Sequence, residues 1–218
     1  MNQTTDTSSS LAELGRLLTP RLSPYNRVVP HPKQQAFMWL PVLEALYGGA
    51  AGGGKSAGLL MSALQYVDIP GYAALILRRT FADLSKPGAL IPMSHEWLGG
   101  TRAHWDDKKA QWIFPRGGIL SFGYLEHEND IYQYQSSEFT FIGFDELTQF
   151  SETQYRYLFS RLRRREGVTI PLRMRSATNP GGMGHDWVKQ RFLVEGEKHG
   201  RVFVPAKLDD NPSLDKVE

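Results

Sequence analysis

The stretch Gly48-Gly-Ala-Ala-Gly-Gly-Gly-Lys-Ser56 constrains this chain more than any other. Gly49 and Gly54 are separated by Ala50, Ala51, Gly52 and Gly53 and followed by Lys55 and Ser56. This is the spacing of a phosphate loop. Glycines let backbone N–H groups turn inward around phosphate oxygens. A helix that starts near Lys55 points its positive end at the same charge. Lys55 can reach β- and γ-phosphates, and Ser56 can ligate Mg²⁺. The alternative is a slack glycine turn. The context favours phosphate: the apolar EALYG precedes the glycines and the helically spaced KSAGLLMSALQYV follows them, giving strand, loop and helix in order.

The rest of the chain repeats that alternation. AALILRR, FTFIGFDE, PLRMRSATNP and RVFVPA read as strands, and AQWIF-PRGG-ILSFGYL as a hairpin around residues 115–118. KQQAFMWLPVLEAL reads as a helix disturbed at Pro41, and HDWVKQRFL as a second helix. The region from Phe81 to Leu98 reads as helical, broken by Pro87 and Pro92. Ser10–Glu13 and Ser151–Gln154 have the form of capping boxes, opening helices over 11–18 and from 152 to about Arg163. The pattern predicts an α/β fold with a central, mainly parallel sheet flanked by helices. With 218 residues the chain can bury one good core or two small ones. A net charge of +2 does not by itself argue for nucleic acid. The absence of cysteine excludes disulfides and thiolate metal sites and points to an intracellular chain. No apolar run is long enough to cross a bilayer, so no membrane partner is expected. The six histidines have no metal-binding spacing.

Several residues are candidates for chemistry. FTFIGFDE ends in Asp145 and Glu146. Ligands of open parallel sheets sit at the carboxyl ends of strands, so this pair should share a rim with the glycine loop. Asp145 can hold Mg²⁺, and Glu146 can orient or deprotonate water. Upstream, Gln34 can bond an adenine edge with its amide, with Gln35 as second choice; an ordinary helix-surface glutamine is the alternative. Ser176, Ala177, Thr178 and Asn179 end a later strand and can sense a γ-phosphate, or simply form a polar turn before Pro-Gly-Gly. Phosphoryl transfer often needs an arginine, and Arg78, Arg79, Arg161 and Arg163 are candidates. The run around Arg161–Arg165 can equally contact a DNA backbone or form a solvated helix face.

PHPKQQAF, YGGAAGGGKS, LILRRTFADL, SSEFTFIGFDELTQFSETQYRYLFSRLR and RMRSATNPGGMGHDWVKQRF follow in an order that resembles the large terminase subunits of tailed bacteriophages. The resemblance runs from about Pro30 onward and is most specific from Asp145 to Arg163. It implies a P-loop NTPase fold of the RecA/helicase-like ASCE type. It also implies a motor that hydrolyses ATP with Mg²⁺ to drive double-stranded viral DNA through a portal protein into a procapsid. The expected partners are that portal, a small terminase subunit and further copies of the chain in a ring, in the host cytoplasm with transient docking on the procapsid. By resemblance Lys55 and Ser56 belong to the phosphate loop, Asp145 and Glu146 are the metal and water carboxylates, Gln34 is the adenine-side glutamine, and Ser176–Thr178 couple hydrolysis to movement. The expected organisation is an arm over 1–30, an ATPase domain over 31–207, and the start of a linker over 208–218. No residues remain for the family's nuclease domain, so no DNA cleavage is expected. Many members carry an arginine within the phosphate loop; here those positions are alanine and glycine, and the arginine must come from elsewhere, a neighbouring subunit included. A helicase- or recombinase-like translocase, and a nucleotide-binding assembly module without turnover, are the competing expectations.

Overall fold

The computed structural model describes residues 22–50, 52–164 and 169–210. The helix expected over 11–18, and also Ala51 and Arg165, lie outside the described residues.

Eight strands form one sheet in the order β3-β4-β5-β2-β6-β7-β1-β8. They are β1 (Glu44–Gly49), β2 (Ala73–Arg78), β3 (His104–Asp106), β4 (Gln111–Ile113), β5 (Ile119–Tyr124), β6 (Phe141–Asp145), β7 (Arg173–Thr178) and β8 (Val202–Ala206). The six strands from β5 to β8 in that order pair in parallel. β3 and β4 add an antiparallel extension beyond β5, which includes the hairpin expected around 115–118. β3 itself carries no sequence signal: His-Trp-Asp is too short and too polar to show alternation.

Successive strand side chains face opposite sides, so each apolar strand feeds two cores. Ala74 and Ile76 face one side, with Phe37, Leu59, Leu60 and Phe141; Leu75 and Leu77 face the other, with Ile142, Phe144, Tyr155 and Leu158. The first core is covered by α1 (Pro32–Trp39), α2 (Lys55–Leu64) and α4 (Leu90–Leu98), the second by α5 (Glu152–Phe159) and the segment from α6 (His185–Lys189) into a π-turn over Gln190–Val194. A short α3 (Phe81–Ser85) precedes α4.

Three expected helix boundaries are corrected. α1 stops at Trp39 rather than running through Pro41, because Pro41 cannot continue the ladder. Two buried arginines of β7 close its end: Arg173 Nη1 donates to Met38 O at 2.9 Å, and Arg175 Nη2 to Leu40 O at 2.7 Å. They supply donors where a helix end leaves carbonyls bare. The break between α3 and α4 falls at Pro87 alone; Pro92 sits in the first turn of α4, where a missing N–H costs nothing. α5 opens on the predicted capping box, with Gln154 N donating to Ser151 Oγ at 3.1 Å, but ends at Phe159.

Two features fix the flank of the sheet. Glu44, at the start of β1, is buried and accepts from Tyr155 Oη at 2.9 Å, Arg191 Nε at 2.8 Å and Arg201 Nε at 3.1 Å. The carboxylate thereby ties β1 to α5, to the π-turn and to the approach to β8. On the outer strand β8, Lys33 Nζ donates to Pro205 O at 2.8 Å and pairs with Asp210 at 2.7 Å.

Candidate active site

β1 ends in the glycines, and the loop's shape follows from its carbonyls. Gly53 O accepts from Tyr47 Oη at 3.2 Å, Gly54 O accepts from Gln34 Nε2 at 2.7 Å, and Ala50 O accepts from Lys55 Nζ. In a trans peptide the next N–H points opposite the carbonyl. Tying the Gly53 and Gly54 oxygens to the protein therefore turns the N–H groups of Gly54 and Lys55 the other way. Gly49, at φ +138°, accepts no side chain: an added Cβ would meet Ala206 O at 2.1 Å. Gly54 caps α2 in the left-handed region at φ +68°. This is a cradle that only glycine permits, at the positive end of a ten-residue helix.

The predicted shared rim is present. Ser56 Oγ, in the first turn of α2, donates to Asp145 Oδ1 at 3.0 Å. Asp145 is 1% exposed and also accepts from Arg78 Nε at 2.7 Å. A hydroxyl and a carboxylate side by side are hard oxygen donors. Among the described residues there is no cluster of three carboxylate or imidazole groups. That donor set fits a cation such as Mg²⁺, which takes few protein ligands and fills its shell from phosphate and water.

Glu146 follows at φ +58°, an unusual conformation for a residue with a side chain. Its carboxylate accepts from Asn179 Nδ2 at 3.1 Å and from Asn179 N at 3.4 Å. Burial raises its pKa above the ordinary glutamate range, and the charge of Asp145 adds to this. Burial lowers the Lys55 pKa, while Glu146 and Asp145 oppose the shift.

The family model for the N-terminal part of the T4likevirus-type terminase large subunit matches residues 46–210. The chain belongs to the terminase large subunit family. No curated protein matches it significantly. Among solved structures, the large terminase of the thermophilic bacteriophage D6E is similar at a TM-score of 0.69 and 17% identity, over 86% of this chain and 48% of that one. The same D6E protein in complex with ATP-gamma-S gives 0.66 and 19%, over 85% and 47%. The HK97 bacteriophage large terminase gives 0.61 and 11%, over 95% and 48%. This terminase chain spans about half the length of the solved structures it matches. At these identities the likeness shows the fold, which is the P-loop type expected. Among the described residues, no helix is long and apolar enough to cross a membrane.

The remaining candidates separate on this terminase fold. Gln34 is buried, and its amide is engaged at both ends, by Gly54 O and by His31 N at 2.8 Å. Its amide thus secures the loop and the first turn of α1; Gln35 is half-buried. Ser176 is fully buried and Ala177 lacks a polar side chain, so neither meets a phosphate directly; this corrects the expectation of a sensing hydroxyl at Ser176. Thr178 Oγ1 lies 2.9 Å from Thr148 Oγ1. Asn179 is the member of that run that reaches the acidic pair. Arg79 turns away, donating to Leu125 O and Gln154 Oε1. Arg161 and Arg163 pair with Phe139, ahead of β6, and so lie at the opposite end of that strand from Asp145, about 20 Å off at strand rise. They are corrected as arginines for this chain's own site. The signal that sequence reading missed is Asn179 against Glu146, which depends on β6 and β7 being neighbours.

Proposed function

We propose that this chain is the ATP-hydrolysing motor part of a phage DNA-packaging terminase, moving double-stranded viral DNA into a procapsid. The observation that carries the reading is the meeting of Ser56, Asp145 and Glu146 beside a glycine cradle, in a chain of this family. Gly49–Gly54 and Lys55 hold the phosphates of ATP. Ser56 and Asp145 hold Mg²⁺, which when bound would neutralise charge on the phosphates. Glu146 accepts a proton from, or orients, the attacking water. Asn179 holds Glu146 and stands at the end of β7, so the state of the γ-phosphate is relayed to the Ser176–Asn179 run. Gln34 supports the loop from the adenine side.

The D6E relative solved with ATP-gamma-S supports nucleotide as the ligand. The ATPase domain is assigned to 31–207, with an arm over 1–30 and a linker beginning at 208. The reading gives these residues hydrolysis and not strand cleavage. The working form is a ring of copies docked on a portal protein in the host cytoplasm, aided by a small terminase subunit. Arg161 and Arg163, half-buried and exposed at the far end of β6 from this chain's own site, would serve a neighbouring copy.

Steady-state ATPase assays with DNA and procapsids test the proposal. A loss of turnover of about 100-fold or more is expected in Lys55→Ala and in Glu146→Gln. Full turnover in either variant would overturn the catalytic assignment, and strand separation of a forked duplex would favour a helicase instead.

A further inference from the structure

We infer that Arg78 is the residue by which this site distinguishes a nucleoside triphosphate from a diphosphate, exchanging its hold on Asp145 for the terminal phosphate. The inference rests on the nucleotide reading above and adds a role that the phosphate loop, lacking any arginine, leaves unfilled.

The placement follows from register. β2 and β6 are parallel neighbours, with Leu77 opposite Phe144, so the next residues, Arg78 and Asp145, end their strands side by side. Alternation puts both on the α2 face, because Ile76 and Phe141 belong to the core under α2 while Leu77 and Phe144 do not. Arg78 Nε then lies 2.7 Å from Asp145 Oδ2, the side chains being 21% and 2% exposed. Only Nε is engaged: the two terminal amino groups of Arg78 make no hydrogen bond to described residues. Arg79, Arg161 and Arg163 point elsewhere, so among the four candidates Arg78 alone stands at the rim.

The chemistry is a competition. Asp145 already accepts from Ser56, and the guanidinium occupies the carboxylate that a divalent cation there would need. Arg78 would hold Asp145 less firmly once that carboxylate was shared with a divalent cation bound alongside a nucleotide. The released guanidinium presents a planar fork of donors matched to phosphate oxygens. A triphosphate offers it a new partner; a diphosphate leaves it with Asp145. The charge of Arg78 also reaches Glu146, opposing the rise in that carboxyl's pKa. Moving the guanidinium therefore alters the field at the water-activating group as well.

The test is calorimetric titration of ATP-gamma-S and ADP into the unsubstituted protein, Arg78→Ala and Arg78→Lys, with Mg²⁺ and with EDTA. The unsubstituted protein should prefer the triphosphate analogue. In Arg78→Ala that preference should fall tenfold or more, ADP affinity should hold or rise, and half-saturation with Mg²⁺ should need less metal. Arg78→Lys, which keeps the charge but not the fork, should fall between. Equal losses for both nucleotides in both variants would mean a structural role and overturn the inference, as would an unchanged preference. Absence of binding by the unsubstituted protein is a different result, which overturns the phosphate-loop reading itself. Thermal melting of each variant separates misfolding from these outcomes.

Discussion

Asn179 grips Glu146 with both its side-chain amide, at 3.1 Å, and its backbone N–H, at 3.4 Å. The contact joins the ends of β6 and β7, and it stabilises the charged carboxylate in a site whose burial disfavours charge. Burial and the contact with Asn179 thus act on this carboxyl in opposite directions, and the contact also restrains where it points.

Glu146→Gln should keep nucleotide binding and lose turnover by about 100-fold or more. Asn179→Ala tests the restraint through pH. Turnover that uses ionised Glu146 falls as pH drops through its raised pKa. The substitution keeps the backbone N–H but removes the side-chain amide that donates to the carboxylate at 3.1 Å, a bond that favours the charged form, so the acid limb of the pH–rate profile should move to higher pH. An unmoved limb would count against Glu146 as the base.

Lys55→Ala should cost about 100-fold in turnover and weaken nucleotide binding. The Lys55 side chain bonds one loop carbonyl, Ala50 O, so the melting temperature should change little. Nucleotide titration and thermal melting check the two halves separately.

Gly49→Ala and Gly117→Ala make a contrasting pair. Both positions have positive φ, but a Cβ at Gly49 would strike Ala206 O, while one at Gly117 meets nothing within 4 Å. The first should destabilise by more than about 3 kcal/mol, combining backbone strain with overpacking. The second should cost about 1 kcal/mol, the backbone term alone. Denaturant unfolding measures both.

Glu44→Gln removes the charge that Arg191 and Arg201 share in a buried setting. Breaking such a pair should cost about 3–5 kcal/mol in denaturant unfolding. Glu44 opens β1 and the glycine cradle closes it, so nucleotide affinity of the folded variant should be unchanged.

Arg161→Ala and Arg163→Ala should leave nucleotide affinity of the isolated chain unaltered, because both lie at the far end of β6. Any loss of turnover should appear only under conditions in which copies assemble. Calorimetry on dilute protein and ATPase assays across a concentration series separate the two.

Much of the fold was legible because its signals are local. β1, β2 and β6 are largely apolar runs bounded by glycine, proline or charge, and the cradle announces itself through spacing. Legibility failed where the decisive partner is distant in sequence. Nothing local in PLRMRSATNP marks Arg173 and Arg175 as buried; carbonyls near the end of α1, far away in sequence, receive them. Four arginines were equal candidates until strand order put Arg78 beside Asp145 and the others elsewhere. The second role of Gln34 had a weak local signal, its position three residues after His31 at a helix start.

The contact between Lys33 and Pro205 bears on how copies can meet. Strand residues send N–H and C=O to the same side, and Ala206 O is bonded inward to Ala50 N, so Pro205 faces outward. At that position the free border of the sheet has no hydrogen to give, and its oxygen is already taken. At Pro205 a neighbouring strand would find neither a free donor nor a free acceptor, so a matching ribbon is interrupted there. A strand laid along β8 would have to break its ladder at Pro205, so this border favours contacts through side chains and loops, a kind of contact that can slide and re-form without unzipping the sheet.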